Sequence, residues 1–395
     1  MILAQGKDLT AIPGPSIMPD RVLNAMHRPA PNIYGEDLIN MTDTVYTDLS
    51  RVARTSAPAV IYIGNGHAAW EAVLANMFNP GDHVLMLSTG RFVHMWAAMA
   101  RQMGINVEIM EFGFHAAVDP NQVEERLASD ITGTIRAVLT TQTDTASSVR
   151  NNIPDIAKAI EESGHPALFM VDCVASLACE PFEMDDWGVD VMLSACQKGL
   201  MTPPGLAFTW AGPRAVKEAI ECKSSWWDWK PRIDPEIFYQ RFCGTPPTHH
   251  LYGLREALTM ILDEVGLENT WERHRRFAEA IWAAVDAWGG DLRLNITDPT
   301  DRSTAVTAIH TGQGDGQRLR EWCEANAGLS LGVGIVGPEG DPNSVFRIGH
   351  MGHLDPPMVL GALATIETGL AALHIPHHSG GVSAAAAVLA GSAAD

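Results

Sequence analysis

Two periodicities of hydrophobic and polar residues alternate along the first half of the chain. Short apolar runs bounded by polar or glycine-containing segments are typical of buried strands, and they occur at residues 83–89, 106–112, 135–143, 166–172 and 189–195. Stretches with apolar residues three and four positions apart are typical of helices, and they occur at residues 35–54, 68–78, 91–104, 121–129 and 153–163. This alternation predicts an α/β fold, with a mostly parallel sheet and flanking helices.

Beyond residue 250 the pattern predicts a smaller C-terminal α/β domain. Its expected elements are a linking helix at 250–265, helices at 269–288, 316–327 and 356–373, and strands at 303–311 and 344–352. The predicted division of the chain is an N-terminal segment at 1–16, a large domain at 17–268 and a small domain at 269–395.

Two of the apolar strands end next to charged residues. Lys198 follows the strand at 189–196, and Asp172 closes the strand at 166–172. A lone lysine in a loop is usually a solvated surface residue, whereas burial at a strand end disfavours its charged form. Because the carboxyl ends of strands are where open α/β sheets bind ligands, we identify Lys198 and Asp172 as candidate catalytic residues.

This pair of residue types suggests pyridoxal phosphate chemistry. A lysine amine with a lowered pKa bonds covalently to the cofactor aldehyde, and an aspartate keeps the pyridine nitrogen protonated so that the ring accepts electrons. A turn at Gly64 and Gly66 also leads into the predicted helix at 68–78, and a helix N-terminus presents N–H groups that suit a phosphate. Most such glycine turns are only turns, so this signal is weak by itself.

Composition and charge limit the classes of binding partner and the cellular compartment that we expect for this protein. The 395 residues carry a formal net charge of -20 with a pI near 5.1, which argues against nucleic acid or an anionic membrane surface as a partner. No charged-then-apolar leader and no apolar run of membrane-spanning length is found, so we expect a cytoplasmic enzyme. His249 and His250 lack Cys or carboxylate residues at ligand spacing, so no metal site is expected.

Several motifs resemble those of the class V aminotransferases, pyridoxal phosphate-dependent enzymes of fold type I. They match the alanine–glyoxylate and serine–glyoxylate branch, at residues 12–16 (IPGPS), 171–177 (VDCVASL), 194–208 (SACQKGLMTPPGLAF) and 346–352 (FRIGHMG). The motifs stand in the family's order and extend over nearly the whole chain. The resemblance implies that pyridoxal 5'-phosphate bonds to Lys198 and that Asp172 holds the ring nitrogen.

The resemblance also implies cofactor and substrate contacts elsewhere. The matching cofactor positions are Asn65, Gly66 and His67 around the phosphate, Phe92 stacked on the pyridine ring, Thr145 at the phenolic oxygen, and Val174 and Gln197 as further contacts. Arg347 matches the site of the substrate carboxylate, and Gly14 either approaches the substrate closely or lies in a plain connector. The chain departs from the family at Ser148, where glycine is common, and this bears on the loop after Thr145.

A homodimer with shared active sites is a further implication. Thr245, in the stretch GTPP at 244–247, matches a residue that reaches the partner's cofactor phosphate, while Phe242 replaces a frequent tyrosine and its hydroxyl. The surrounding segment at 222–247 is rich in aromatic residues. We interpret it as a substrate-side wall or a dimer surface, and we favour a core role less because charges and prolines interrupt it.

The expected reaction transfers the amino group of serine, alanine or aspartate to glyoxylate, giving a 2-oxo acid and glycine. Arg347 is the one clear carboxylate-binding residue at a motif position. A dicarboxylic donor would need a second cation, and the local candidates are Lys223, Lys230, Arg232 and Arg241. Charges in such a segment usually form a solvated rim, so aspartate is placed behind serine and alanine.

Three alternative functions stay open. A pyridoxamine–pyruvate transaminase has the same fold, and Tyr34 and Phe242 favour it slightly, whereas the phosphate cup and Gln197 favour a permanently bound phosphate. A class V cysteine desulfurase or another lyase would need a mobile cysteine, for which Cys323 is the candidate. A non-enzymatic binding protein of this fold is disfavoured because the lysine and the aspartate are both retained.

Overall fold

The computed structural model describes residues 6–391 and contains two main sheets. The strands are β1 (Leu9–Ala11), β2 (Ala59–Gly64), β3 (His83–Ser88), β4 (Asn106–Glu111), β5 (Ile135–Thr141), β6 (Thr143–Asp144), β7 (Val149–Arg150), β8 (Leu168–Asp172), β9 (Val191–Ala195), β10 (Gly205–Ala211), β11 (Arg293–Leu294), β12 (Val306–His310), β13 (Leu329–Val333) and β14 (Val345–Gly349).

The helices surround these strands, and most of them lie where the sequence predicts them. They are α1 (Asp20–Met26), α2 (Glu36–Ala53), α3 (Gly66–Met77), α4 (Arg91–Gln102), α5 (Pro120–Ala128), α6 (Ile153–Glu162), α7 (Pro213–Glu218), α8 (Lys230–Ile233), α9 (Thr248–Leu258), α10 (Leu267–Trp288), α11 (Asp315–Ala327), α12 (Pro356–Ala372) and α13 (Gly381–Gly391). A π-helical segment, Thr259–Val265, follows α9. Short 3-10 turns occur at Phe238–Phe242, Pro299–Asp301 and Pro342–Ser344.

The larger sheet has seven strands in the order β2-β10-β9-β8-β5-β3-β4. Strand β10 is antiparallel to both of its neighbours, and the other pairings are parallel. Successive strand residues face opposite sides, so alternate residues of β3 enter two different apolar clusters. One cluster includes residues of α2, α5, α6 and α9, and the other includes residues of α3 and α4. The predicted mostly parallel sheet with helices on both faces is confirmed.

The smaller sheet takes one strand from the beginning of the chain. Its order is β1-β13-β14-β12-β11, and β1 pairs in parallel with β13, with Leu9 opposite Leu329. Helices α10, α11, α12 and α13 contribute to its apolar cluster. Strands β1 and β13 are not predicted from the sequence, and the three residues of β1 are too few to show a periodicity. The domain boundaries at 16 and 268 stay a prediction.

The aromatic segment at 222–247 contributes to the core. Trp229 and Phe242 are fully buried, in the clusters on the two faces of the larger sheet. The buried Arg232 shows why a charge does not interrupt the core here, since its guanidinium donates to three backbone carbonyl groups and lies over the Tyr62 ring. The lower weight given to a core role was therefore wrong for these two aromatic residues.

Within residues 6–391, no helix is both long and apolar enough to cross a membrane. The same part of the chain has no group of three or more His, Cys, Asp or Glu side chains arranged to hold a metal ion. His249 and His250 instead lie within hydrogen-bonding distance of the Arg28 and Pro204 carbonyl oxygens, at 3.0 and 3.3 Å.

Ser148 adopts a backbone conformation that favours glycine. Its φ is 63°, in the left-handed region, where a side chain costs about 1–2 kcal/mol. Two contacts from the segment around β12 hold it there: the Ala308 N–H donates to Ser148 Oγ at 3.2 Å, and the Ser303 N–H donates to the Ser148 carbonyl oxygen at 3.1 Å. The serine therefore keeps the loop shape that glycine would allow and adds a hydrogen bond to β12.

We expect Ser148→Ala to lower the free energy of unfolding by about 1 kcal/mol, because it keeps the strained backbone and removes the side-chain hydrogen bond. Ser148→Gly loses the same hydrogen bond but relieves the strain, so its free energy of unfolding should stay within about 1 kcal/mol of the wild type. Urea denaturation of the two variants measures the difference. A glycine variant less stable than the alanine variant would contradict this account.

Candidate active site

A cavity of about 320 Å³ opens at the carboxyl ends of the strands in the larger sheet. Asp172 ends β8 and Lys198 follows β9, so two neighbouring strands bring both side chains to this cavity. Around this pair the cavity gathers the predicted residues Gly14, Asn65, Gly66, His67, Phe92, Thr145, Val174 and Gln197. Thr245 and Arg347 are the predicted site residues that do not line it.

Lys198 is enclosed by the N-terminal segment. Its amine donates a hydrogen bond to the Pro13 carbonyl oxygen, and Ser16 Oγ donates to the Lys198 carbonyl oxygen at 2.6 Å. A Cβ added at Gly14 would lie 2.6 Å from the Lys198 Nζ atom, so a larger residue would displace the amine. Burial, followed by the nearby charge of Arg347, lowers the pKa of the Lys198 amine to about 8. Gly14 thus lies against the Lys198 side chain rather than in a plain connector.

Asp172 is buried, and each of its carboxylate oxygens accepts a hydrogen bond. The Val174 N–H donates to Oδ1 at 2.6 Å, and the indole N–H of Trp70 donates to Oδ2 at 2.7 Å. Burial is the main cause that raises the pKa of the Asp172 carboxyl to about 6, although both hydrogen bonds and the charge of Lys198 oppose it. Sequence reasoning missed Trp70, because a tryptophan on the apolar side of a helix usually indicates only core packing.

The first turn of α3 forms one wall of the cavity. Asn65 caps this helix, since its side-chain oxygen accepts a hydrogen bond from the His67 N–H at 3.1 Å. A Cβ added at Gly66 would lie 2.9 Å from a Val174 methyl carbon, so glycine allows the helix to begin close to the residues that follow β8. The N-terminus of a twelve-residue helix therefore faces the cavity, as the predicted phosphate site requires.

Asp144 positions two of the predicted cofactor contacts, and sequence reasoning missed it too. Its buried carboxylate accepts hydrogen bonds from the N–H groups of Phe92 and Ala146, both at 2.8 Å. One side chain therefore fixes the start of α4, which carries Phe92, and the loop that carries Thr145. A Cβ at Gly90 would overlap this carboxylate, so the glycine makes room for it.

Arg347 lies behind this loop, in β14. Its Nη1 donates to the Thr145 carbonyl oxygen at 2.5 Å, and its Nε donates to the Val333 carbonyl oxygen at 2.7 Å. Burial lowers the pKa of the guanidinium to about 10, so it remains charged at neutral pH. Arg347 is close enough for its charge to lower the pKa of the Lys198 amine. Thr245 is exposed and lies outside the cavity.

The residues present fit pyridoxal phosphate. The cavity combines a lysine amine, a buried carboxylate, a helix N-terminus and the ring of Phe92. Two buried oxygens at the cavity, Thr141 Oγ1 and Gln197 Oε1, have no hydrogen-bond partner within residues 6–391. Buried polar atoms are nearly always paired in native proteins, so these two groups are placed for a ligand.

A second cavity, of about 510 Å³, lies beside the loop at 335–345 and is lined in part by His115 and His310. It contains none of the predicted site residues. Burial lowers the pKa of His310 to about 4, so this imidazole is neutral at physiological pH. The smaller cavity is therefore the one equipped for lysine-based chemistry.

Comparison with known proteins agrees with this arrangement. Residues 20–336 match the model of the family described as aminotransferase class-V. The serine–glyoxylate aminotransferase of Methylorubrum extorquens is 36% identical, covering 92% of this chain and 91% of that protein, and the L-aspartate–glyoxylate aminotransferase of Paracoccus denitrificans is 35% identical, covering 95% and 94%. The crystal structure of pyridoxamine–pyruvate aminotransferase from Mesorhizobium loti superposes with a TM-score of 0.88 at 26% identity, covering 99% of this chain and 100% of that one.

The buried Asp172 should make the stability of the cofactor-free protein depend on pH. Its pKa is about 6 in the folded protein against an ordinary value of 3.8, so folding takes up a proton between these values. The resulting stabilisation is present below about pH 4 and is lost as the pH rises through 6. Relative to Asp172→Asn, the wild type should lose about 3 kcal/mol of unfolding free energy between about pH 4 and 7. Denaturant titrations at several pH values test this, and a pH-independent difference would refute it.

Proposed function

This chain belongs to the class V aminotransferases, a family of pyridoxal phosphate-dependent enzymes, and on that basis we propose that it transfers the amino group of a small amino acid to glyoxylate. The products are a 2-oxo acid and glycine. The observation that carries the proposal is the meeting of Lys198 and Asp172 at the ends of adjacent strands, in a cavity that also holds a helix N-terminus.

The bound cofactor supplies an aldehyde that takes up the amino group and a ring that withdraws electrons. Lys198 moves the proton: with a pKa of about 8, a substantial share of its amine is neutral near physiological pH and can accept the α-proton of the amino acid. Asp172 would hold the protonated ring nitrogen of the bound cofactor through its negative charge. Arg347 stays the proposed partner of the α-carboxylate that donors and acceptors share: its buried, charged guanidinium lies behind the loop of Thr145, next to the cavity residues but not in the cavity lining.

The available cations favour a donor without a second carboxylate. Arg241 pairs with Asp43, and Arg232 donates to three backbone carbonyl groups. Lys223 pairs with Glu221, and the Lys230 amine donates to a backbone carbonyl at 3.5 Å. Each candidate for a second carboxylate site thus has a partner within its own chain, which supports serine and alanine ahead of aspartate.

Two of the alternatives are less well supported. The capped start of α3 at Asn65, Gly66 and His67 suits a phosphate group that stays bound. A transaminase specific for pyridoxamine has no need of such a site, because pyridoxamine carries no phosphate. A desulfurase requires an accessible, mobile cysteine, but Cys323 is fully buried in α11 and belongs to the core of the smaller sheet. Burial also raises the pKa of this thiol to about 12, which keeps it from ionising.

We also propose a homodimer in which Thr245 contacts the partner's cofactor phosphate. Thr245 is exposed and does not line the cavity of its own chain, which leaves its side chain accessible to a partner subunit. Large apolar side chains in the same segment are also exposed, among them Ile237 and Tyr239, which are 48% and 49% accessible. Exposed apolar groups of this size indicate a contact surface. The cytoplasmic location expected from the sequence stays a prediction.

A donor-by-acceptor screen tests the proposed reaction. Serine, alanine and aspartate would each be assayed with glyoxylate, pyruvate and 2-oxoglutarate, and we expect glycine from glyoxylate, with aspartate the weakest donor. Lys198→Ala is the control. The wild type should show a visible absorption band from the cofactor bonded to Lys198, and borohydride should abolish it. The variant should lack this band, and its turnover should be lower by about 10²–10⁴-fold. If glyoxylate fails with every donor while pyridoxamine and pyruvate react, the protein is a pyridoxamine–pyruvate transaminase and this proposal is wrong.

Mixed dimers test the shared site. When Lys198→Ala and Thr245→Ala subunits are unfolded together and refolded, each mixed dimer has one site with both changes and one with neither. Random pairing therefore restores about a quarter of the wild-type sites. Activity at limiting pyridoxal phosphate should exceed the sum of the two variants refolded separately. Activity no greater than that sum would place Thr245 in its own chain's site or in neither.

A further inference from the structure

The indole of Trp70 makes a buried contact with the proposed ring partner of the cofactor. Trp70 is the fifth residue of α3, at the start of its second turn, and is 2% exposed. Its Nε1–H donates to Asp172 Oδ2 at 2.7 Å, across 102 positions of sequence. The residue also lines the cavity, so it lies at the site rather than only beneath it.

Packing alone does not explain this hydrogen bond. Trp96 belongs to the same apolar cluster and stacks on Trp70 with ring centroids 6.0 Å apart and planes at 13°. The Nε1 atom of Trp96 is buried without a hydrogen-bond partner within residues 6–391. Two similar indoles thus share one core, and only one of them directs its N–H at a carboxylate.

The environment of Trp70 keeps its ring in place. Besides the stacked Trp96, the ring of His67 lies 4.4 Å away and that of Phe92 lies 6.4 Å away, edge-on. A rigid ring donating to Oδ2, together with the backbone N–H donating to Oδ1, fixes the plane of the Asp172 carboxylate. Each oxygen retains a free lone pair, so the carboxylate can still accept a hydrogen bond from a ligand.

We propose that Trp70 is a positioning residue that holds the Asp172 carboxylate ionised and oriented toward the pyridine nitrogen of the bound cofactor. A hydrogen bond from a neutral donor to a buried charged acceptor stabilises the charged form, and this opposes the effect of burial. The role rests on the proposed function, because it requires Asp172 to be the partner of the ring nitrogen.

The other ionisable groups around Asp172 do not supply this effect. Lys198 favours the ionised carboxylate, whereas the buried Asp144 disfavours it. Burial raises the pKa of the neighbouring Cys173 thiol well above its ordinary value, so that thiol stays neutral. Burial also lowers the pKa of His67, which keeps the imidazole against Trp70 neutral at physiological pH. Lys198 would be bonded to the cofactor when the cofactor is present, which leaves the Val174 N–H and the indole N–H as the neutral donors that persist in both states, and of these only the indole belongs to a side chain.

Trp70→Phe and Trp96→Phe form a matched pair, because each replaces a buried indole of the same cluster by a phenyl ring. Trp70→Phe should weaken pyridoxal phosphate binding to the cofactor-free protein by about 10- to 100-fold and should lower kcat more than it raises KM. As the solution is acidified, Trp70→Phe should lose pyridoxal phosphate at a higher pH than the wild type does, because Asp172 protonates more easily without the indole N–H. Trp96→Phe should retain wild-type binding and the wild-type pH profile. Equal effects of the two variants would reduce Trp70 to a packing role.

The Asp172→Asn background tests whether Trp70 acts through the carboxylate. There, adding Trp70→Phe should change cofactor affinity by less than about threefold, and an undiminished effect would overturn the proposal.

Indole ¹⁵N–¹H spectra of the cofactor-free protein test the contact without any substitution of Trp70. The Trp70 indole resonance should shift with a midpoint near pH 6 in the wild type and should show no such shift in Asp172→Asn. The Trp96 resonance should show no such shift in either protein. A Trp70 resonance that ignores this pH range would refute the contact. These binding measurements use no substrate, so a failure of glyoxylate as acceptor leaves them decisive.

Discussion

Lys198 and Asp172, two side chains of opposite charge, are buried together at the carboxyl ends of central strands in the larger sheet. Hydrogen bonds from the rest of the site offset the cost of burying them. Removal of water favours the neutral forms, so the pKa of Lys198 is lowered and that of Asp172 is raised. Each group is given partners from fixed parts of the fold: a backbone carbonyl for the amine, and a backbone N–H and an indole N–H for the carboxylate. The same desolvation that strains the pair also makes the amine a usable base near neutral pH.

A second carboxyl group, that of Asp144, and a second cationic side chain, that of Arg347, lie behind this pair. Asp144 holds the start of α4 and the loop that carries Thr145, and Arg347 donates to the same loop from the smaller sheet. Two carboxyl groups and two cationic side chains thus lie in and directly behind the site, although the whole chain carries a formal charge of -20. An anionic substrate therefore meets a local environment whose charge differs from that of the protein surface.

The larger sheet could be predicted from sequence, because strands buried on both faces appear as continuous apolar runs. Lys198 and Asp172 could be predicted for the same reason, since each follows the end of such a run. Trp70 and Asp144 could not, because their roles depend on partners distant in sequence, and nothing local distinguishes them from a core aromatic and a loop acid. The position of Thr245 became meaningful only through the resemblance to a family, since an exposed loop threonine has no signal of its own.

The pairing of β1 with β13 has a consequence for how the protein is synthesised. The segment that covers Lys198 follows directly after β1, and β1 has its partner strand near the other end of the chain, between Leu329 and Leu331. Chains fold progressively as they leave the ribosome, and contacts between distant segments form late. Residues 9–11 must therefore wait for residues 329–331 before the segment after β1 is held over the lysine. A chain that lacks β13 has no partner strand for β1, so the segment that covers the Lys198 amine loses its anchor on that side.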